Sequence, residues 1–144
     1  MSSGAPPQAP TTSPGARPVL PEGWPQPRGY ANGMIAEGRL LVTGGLVGWN
    51  EQGVFAEGFL AQIGQTFANI RAVVEAGGGR VEDIVRLTWY VTDIEAYRSC
   101  LSELGPVYRA HFGRHFPAMA VVAVSALVEP AALVEIEATA VIPR

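Results

Sequence analysis

The chain contains no lysine; all 10 of its basic residues are arginine. Without a lysine amine there is no Schiff base to a carbonyl substrate or to pyridoxal phosphate, and no Walker-type phosphate loop. No cofactor is expected. Cysteine is almost absent too. The single Cys100 excludes an intrachain disulfide and fits a reducing compartment. No apolar run approaches the ~20 residues needed to span a bilayer. The N-terminus lacks the charged start and apolar stretch of a signal peptide, so a cytoplasmic location is expected. Charge is scarce as well: 16% of residues are charged and the formal balance is -3. That balance gives no electrostatic reason to expect nucleic acid or an anionic membrane as partner.

What remains is 144 residues that are 48% hydrophobic, enough for one domain with a real core. Eight of the 12 prolines lie in residues 1–28, among Ser, Thr, Gly and Ala. Such a segment buries little and lacks many backbone donors, which predicts an extended or disordered arm, with Trp24 able to pin its end to the body or to leave it loose. Residues 29–144 form the expected domain. Met34-Ile35-Ala36 and residues 39–43 read as a hairpin across Glu37-Gly38. Gly44, Gly45 and Gly48 predict a bulge or a close backbone approach, and Asn50-Glu51-Gln52-Gly53 a turn.

Over residues 59–76, Leu60, Ile63, Phe67, Ile70 and Val74 recur at spacings of three and four, which predicts a helix ended by Gly77-Gly78-Gly79. Residues 84–92 alternate as a strand. A second helix is expected over 97–112, interrupted near Gly105-Pro106. Two β-branched runs, 118–124 and 134–142, close the chain as strands. The order predicts an α+β fold, a mixed sheet with two helices on one face. Because the last strands are apolar on much of both faces, the uncovered face calls for self-association.

The last strand carries two carboxylates amid apolar sequence. Glu135, Glu137 and Thr139 share one face, and such carboxylates are either paired or placed for use. The stretch 61–77, Asp83-Ile84-Val85 with Tyr90-Val91-Thr92-Asp93, and Phe116-Pro117-Ala118 with Glu135-Ile136-Glu137-Ala138 resemble the RidA (YjgF/YER057c/UK114) family from about Arg28 onward. The resemblance implies a chorismate-mutase-like homotrimer with a small-molecule site in each cleft between subunits. It also implies hydrolysis of reactive enamines and imines, such as 2-aminoacrylate and its imine tautomer, to keto acids and ammonia. Carried over by position, it gives Glu135 as the catalytic carboxylate and Tyr30 and Thr43 as cleft residues.

The same resemblance exposes a departure. The family motif Pro-Ala-Arg-Ser reads Pro117-Ala118-Met119-Ala120 here, so Met119 stands where the family's carboxylate-gripping arginine would be. Val121 replaces a small thiol two residues later. A guanidinium holds a carboxylate by two parallel charge-assisted bonds, which methionine cannot imitate. Met119 and Val121 read either as an apolar pocket lining or as ordinary core. Arg98, Arg109 and Arg114 are candidates to replace the lost cation. Glu135 reads as the cleft carboxylate, or else as an ion-pair partner, the role that fits Glu137 better. Cys100 has no base beside it and reads as a buried thiol. His111 and His115 lack the companions of a metal site, so no metal is expected. The expectation is an imine- or enamine-handling protein that is not a standard 2-iminopropanoate deaminase. The alternative is a catalytically silent small-ligand-binding trimer.

Overall fold

A computed structural model describes residues 15–144. The elements run β1 (Arg17–Val19), β2 (Gly33–Ile35), β3 (Arg39–Val42), β4 (Leu46–Val47), α1 (Phe59–Ala76), β5 (Ile84–Val91), α2 (Ile94–Ser99), α3 (Leu101–Phe112), β6 (Ala118–Ala123) and β7 (Val134–Ile142). The main sheet is ordered β3-β7-β5-β6, and β4 continues beside β7 on the β3 edge. Only β5 and β6 are parallel; β7 runs antiparallel to β3, β4 and β5. This is the α+β mixed sheet that the sequence predicts.

The predicted helix over 59–76 forms with those limits, and Ile63, Phe67, Ile70 and Val74 are fully buried. They meet Leu87, Trp89 and Val91 of β5 and Val134, Ile136, Ala138 and Ala140 of β7 in one core. Phe67 is its centre. It makes edge-on ring contacts with Trp89, Tyr108 and Phe112, at centroid distances of 5.5, 5.6 and 4.9 Å.

Two expectations are corrected. The hairpin of 34–36 with 39–43 does not form: β2 pairs with β1, and β3 pairs with β7. The chain turns at Gly38, where the end of β7 passes so close that a Cβ would overlap the Ile142 carbonyl. That approach steers β3 into the main sheet. The second helix breaks at Cys100, not at Gly105-Pro106. Cys100 leaves the helical region (φ -106, ψ 11) and ends α2, while Pro106 stays inside α3 at the cost of one intrahelical bond. Three helices therefore replace the expected two, and α1 and α3 carry the packing. Trp24 does not pin the arm, since 56% of it is exposed; the pairing of β1 with β2 ties residues 17–19 instead. The first 14 residues of the expected arm lie outside the described ones.

The glycine expectation holds. Val42 pairs with Thr139 and Leu46 with Ile136, so residues 43–45 carry one extra residue against β7, a β-bulge. Gly48 lies on the backbone of Gln62 in α1, where no side chain would fit. Buried Gln62 in turn donates to the Ala131 carbonyl at 3.0 Å and accepts from the Leu133 amide at 2.8 Å, fixing the entry to β7.

Candidate functional site

Strand alternation decides where the candidate residues go. On β7, Val134, Ile136, Ala138, Ala140 and Ile142 are buried, so Glu135, Glu137 and Thr139 face away from the helices. On β5, Leu87, Trp89 and Val91 enter the core and Arg86, Thr88 and Tyr90 take the open face. Tyr90 stands directly opposite Glu135 in the ladder. Its hydroxyl donates to Glu137 at 2.5 Å. That bond, then burial, then the charges of Glu137 and Glu135 raise the Tyr90 pKa above its ordinary value, so the phenol stays a neutral donor. Glu137 is thus occupied by a tyrosine on the neighbouring strand. Sequence reading missed Tyr90, whose only signal was its place on the polar side of β5.

Glu135 has no ion pair and no side-chain hydrogen bond among the described residues. Its carboxylate lies across the α-carbon of Gly45, where a Cβ would overlap it. The bulge makes that seat. Within it the Thr43 hydroxyl accepts from the Ala138 amide at 3.0 Å and donates to the Gly44 carbonyl at 2.7 Å. Both capacities of that hydroxyl used here go to backbone, so Thr43 supports the seat of Glu135 from below.

Met119 and Val121 point the other way. They pair with Leu87 and Trp89 on the helix side of the sheet and line a cavity of about 470 Å³. Tyr97, Leu101, Leu104 and Tyr108 close it from the helices, and Phe116 and Tyr30 close the end near β6. The cavity is mainly apolar. Burial raises the Tyr97 and Tyr108 pKa values, so both phenols remain neutral, and the Tyr108 hydroxyl donates to the His115 carbonyl at 2.6 Å. One chain therefore keeps Met119, Val121 and Tyr30 on one side of the sheet and Glu135 on the other.

None of the arginines proposed as replacements reaches this cavity. Arg98 pairs with Glu95 at 2.5 Å on the exposed surface of α2. Arg109 and Arg114 line a separate polar groove with Arg71, Arg80, Glu75 and Glu82. Among the described residues, the one charged side chain on the cavity wall is Arg28, which sequence reading had assigned to the arm. Cys100 is half-buried; burial first, and then Glu103, raises its thiol pKa, which disfavours the nucleophilic thiolate. His115 Nε2 is 2.7 Å from the Ile84 carbonyl, and His111 packs edge-on against Phe67.

Comparison with known proteins agrees with this fold. The sequence matches the family described as Endoribonuclease L-PSP over residues 25–142. A RutC family protein of Aquifex aeolicus is 36% identical over 84 residues, covering 58% of this chain and 63% of that protein. The 2-iminobutanoate/2-iminopropanoate deaminase of Salmonella typhimurium is 35% identical over 108 residues, covering 72% of this chain and 80% of that one. The crystal structure of a Yersinia pestis protein of the Rid family, itself of unknown function, superposes with a TM-score of 0.74 at 32% identity, over 88% of this chain and 98% of that one. With the matched residues running from before Arg28 through the whole sheet, the chain belongs to the RidA (YjgF/YER057c/UK114) family.

Proposed function

We propose that the chain acts in the cytoplasm as a symmetric homotrimer whose small-molecule sites lie between copies, and that it hydrolyses a small imine or enamine to a carbonyl compound and ammonia. The observation that carries this reading is the placement of Glu135 and the Met119–Val121 cavity on opposite faces of one sheet. A carboxylate and a pocket so divided serve one reaction only if one copy's Glu135 meets another copy's cavity. The open face favours such an encounter. Leu40 and Val42 on β3 and Val122 on β6 are 71%, 64% and 44% exposed there. Burying them against a second copy removes apolar surface from water.

In this reading Glu135 takes a proton from water as the oxygen attacks the carbon of C=N. The proton passes to nitrogen, giving the carbinolamine. The carbinolamine's hydroxyl proton then moves to nitrogen as the C–N bond breaks and the carbonyl forms, so one water is consumed for each ammonia released. Tyr90 and Glu137 keep a fixed hydrogen-bonded pair beside Glu135, and Gly45 leaves its carboxylate room. The cavity volume suits a ligand with an apolar body larger than that of 2-iminopropanoate. Strand β6 itself offers no cation to a carboxylate.

The test is ammonia release from freshly generated 2-aminoacrylate and from imines with bulkier apolar groups, with and without a carboxylate. Turnover of the bulkier imines, lost by ~100-fold or more in Glu135→Gln, supports the reading. Unchanged turnover in Glu135→Gln overturns it. The second reading, a catalytically silent binding trimer, is favoured by the apolar Met119 and Val121. Thermal protection by a ligand with no ammonia from any imine would decide for it.

A further inference from the structure

Among the described residues, Arg28 is the only charged one on the wall of the 470 Å³ cavity, and no aspartate or glutamate lines it. Among the described residues its guanidinium forms no ion pair. The backbone explains why it is there. The Ala31 amide donates to the Pro117 carbonyl at 3.0 Å, and Ala31 bridges Ala118 at the start of β6. Gly29, at φ +80, turns the chain just before that pin, in a conformation that β-carbon-bearing residues seldom adopt. Pin and turn together bring Arg28 and Tyr30 beside the strand end that carries Met119.

We infer that Arg28 is the anion anchor of this cavity, and that the ligand is a small monocarboxylate with a branched or aromatic apolar body. The guanidinium takes the carboxylate by charge-assisted hydrogen bonds at the cavity mouth. The apolar body fills the space between Met119, Val121, Leu101 and Leu104. The cation thus comes from the segment between β1 and β2 and not from β6. This inference rests on the reading of the cavity as a substrate site, but binding can be measured without turnover.

The experiment uses the full chain and two probes of equal shape, 3-phenylpropanoate and its neutral amide, with affinities measured by calorimetry. The wild-type protein should prefer the acid. Arg28→Gln should weaken the acid by at least ~10-fold and leave the amide unchanged, because only the charge-assisted bonds are lost. Arg28→Lys should retain part of the preference, since a lysine keeps the charge but not the planar fork. Leu101→Trp, on the same wall, should weaken both probes. Retention of the acid preference in Arg28→Gln, no preference in the wild type, or no binding of the acid would each overturn the inference. An anchor lost in Arg28→Gln together with unchanged turnover in Glu135→Gln would leave Arg28 standing and remove the proposed base.

Discussion

The carboxylate of Glu135 rests on the bare α-carbon of Gly45. The contact joins the one acid of β7 without a partner among the described residues to a bulge that exists because residues 43–45 are one too many for the opposing strand. The group a methyl would strike is the far end of a flexible side chain, so the strand can keep its fold while the acid moves. Gly45→Ala should therefore cost less than about 1 kcal/mol of stability. Under the proposed function, its kcat for imine hydrolysis should fall by ~10-fold or more with little change in KM, because a misplaced base loses reactivity steeply with distance. Steady-state kinetics beside urea denaturation separates the two effects.

Phe67 holds four ring contacts and is fully buried. Phe67→Ala should destabilise the chain by about 3–5 kcal/mol, read as a lower denaturation midpoint at unchanged slope.

Gln62 clamps the entry to β7 through the Ala131 carbonyl and the Leu133 amide. Gln62→Leu keeps the volume and strands both backbone groups, so it should cost about 1–3 kcal/mol. Amide exchange at Leu133 should also quicken, which a simple loss of packing elsewhere would not produce.

Burial, and then the charge of Arg71, lowers the His111 pKa in the folded chain. Groups facing it across the polar groove include Glu75, Arg109, Arg114 and His115. A depressed folded pKa means that the unfolded chain takes up the proton first as pH falls. Its stabilising contribution is present above the ordinary value of 6.5 and declines as pH drops from there toward the folded pKa. His111→Gln should flatten that part of the stability–pH curve, measured by denaturation between pH 8 and pH 5. An equally steep curve in the variant would assign the dependence to other groups.

Local pattern made most of the fold legible. The stripe Ile63-Phe67-Ile70-Val74 and the alternation of Leu87, Trp89 and Val91 each state their period within one element. Pairing was harder, because which strand β3 joins depends on β7, about 100 residues later, and on the close pass at Gly38. For the site, the parity of β7 showed that Glu135 and Glu137 share a face. It could not show that Tyr90 occupies Glu137 or that Gly45 seats Glu135, since both relations cross strands. Arg28 was hidden for a related reason. Its proline-rich surroundings read as an arm, whereas the bridge from Ala31 to Ala118 that places it is a long-range contact.

The central claim is that Glu135 of one copy serves the cavity of another. Chains of Glu135→Gln and of the cavity-filling Leu101→Trp, each inactive alone, should regain ammonia release when unfolded and refolded together. At equal mixing roughly a quarter of the sites would combine an intact acid with an intact cavity. Recovery near that level is the predicted result. Mixed oligomers that form, as shown by mass, but remain as inactive as the separate variants would contradict the claim.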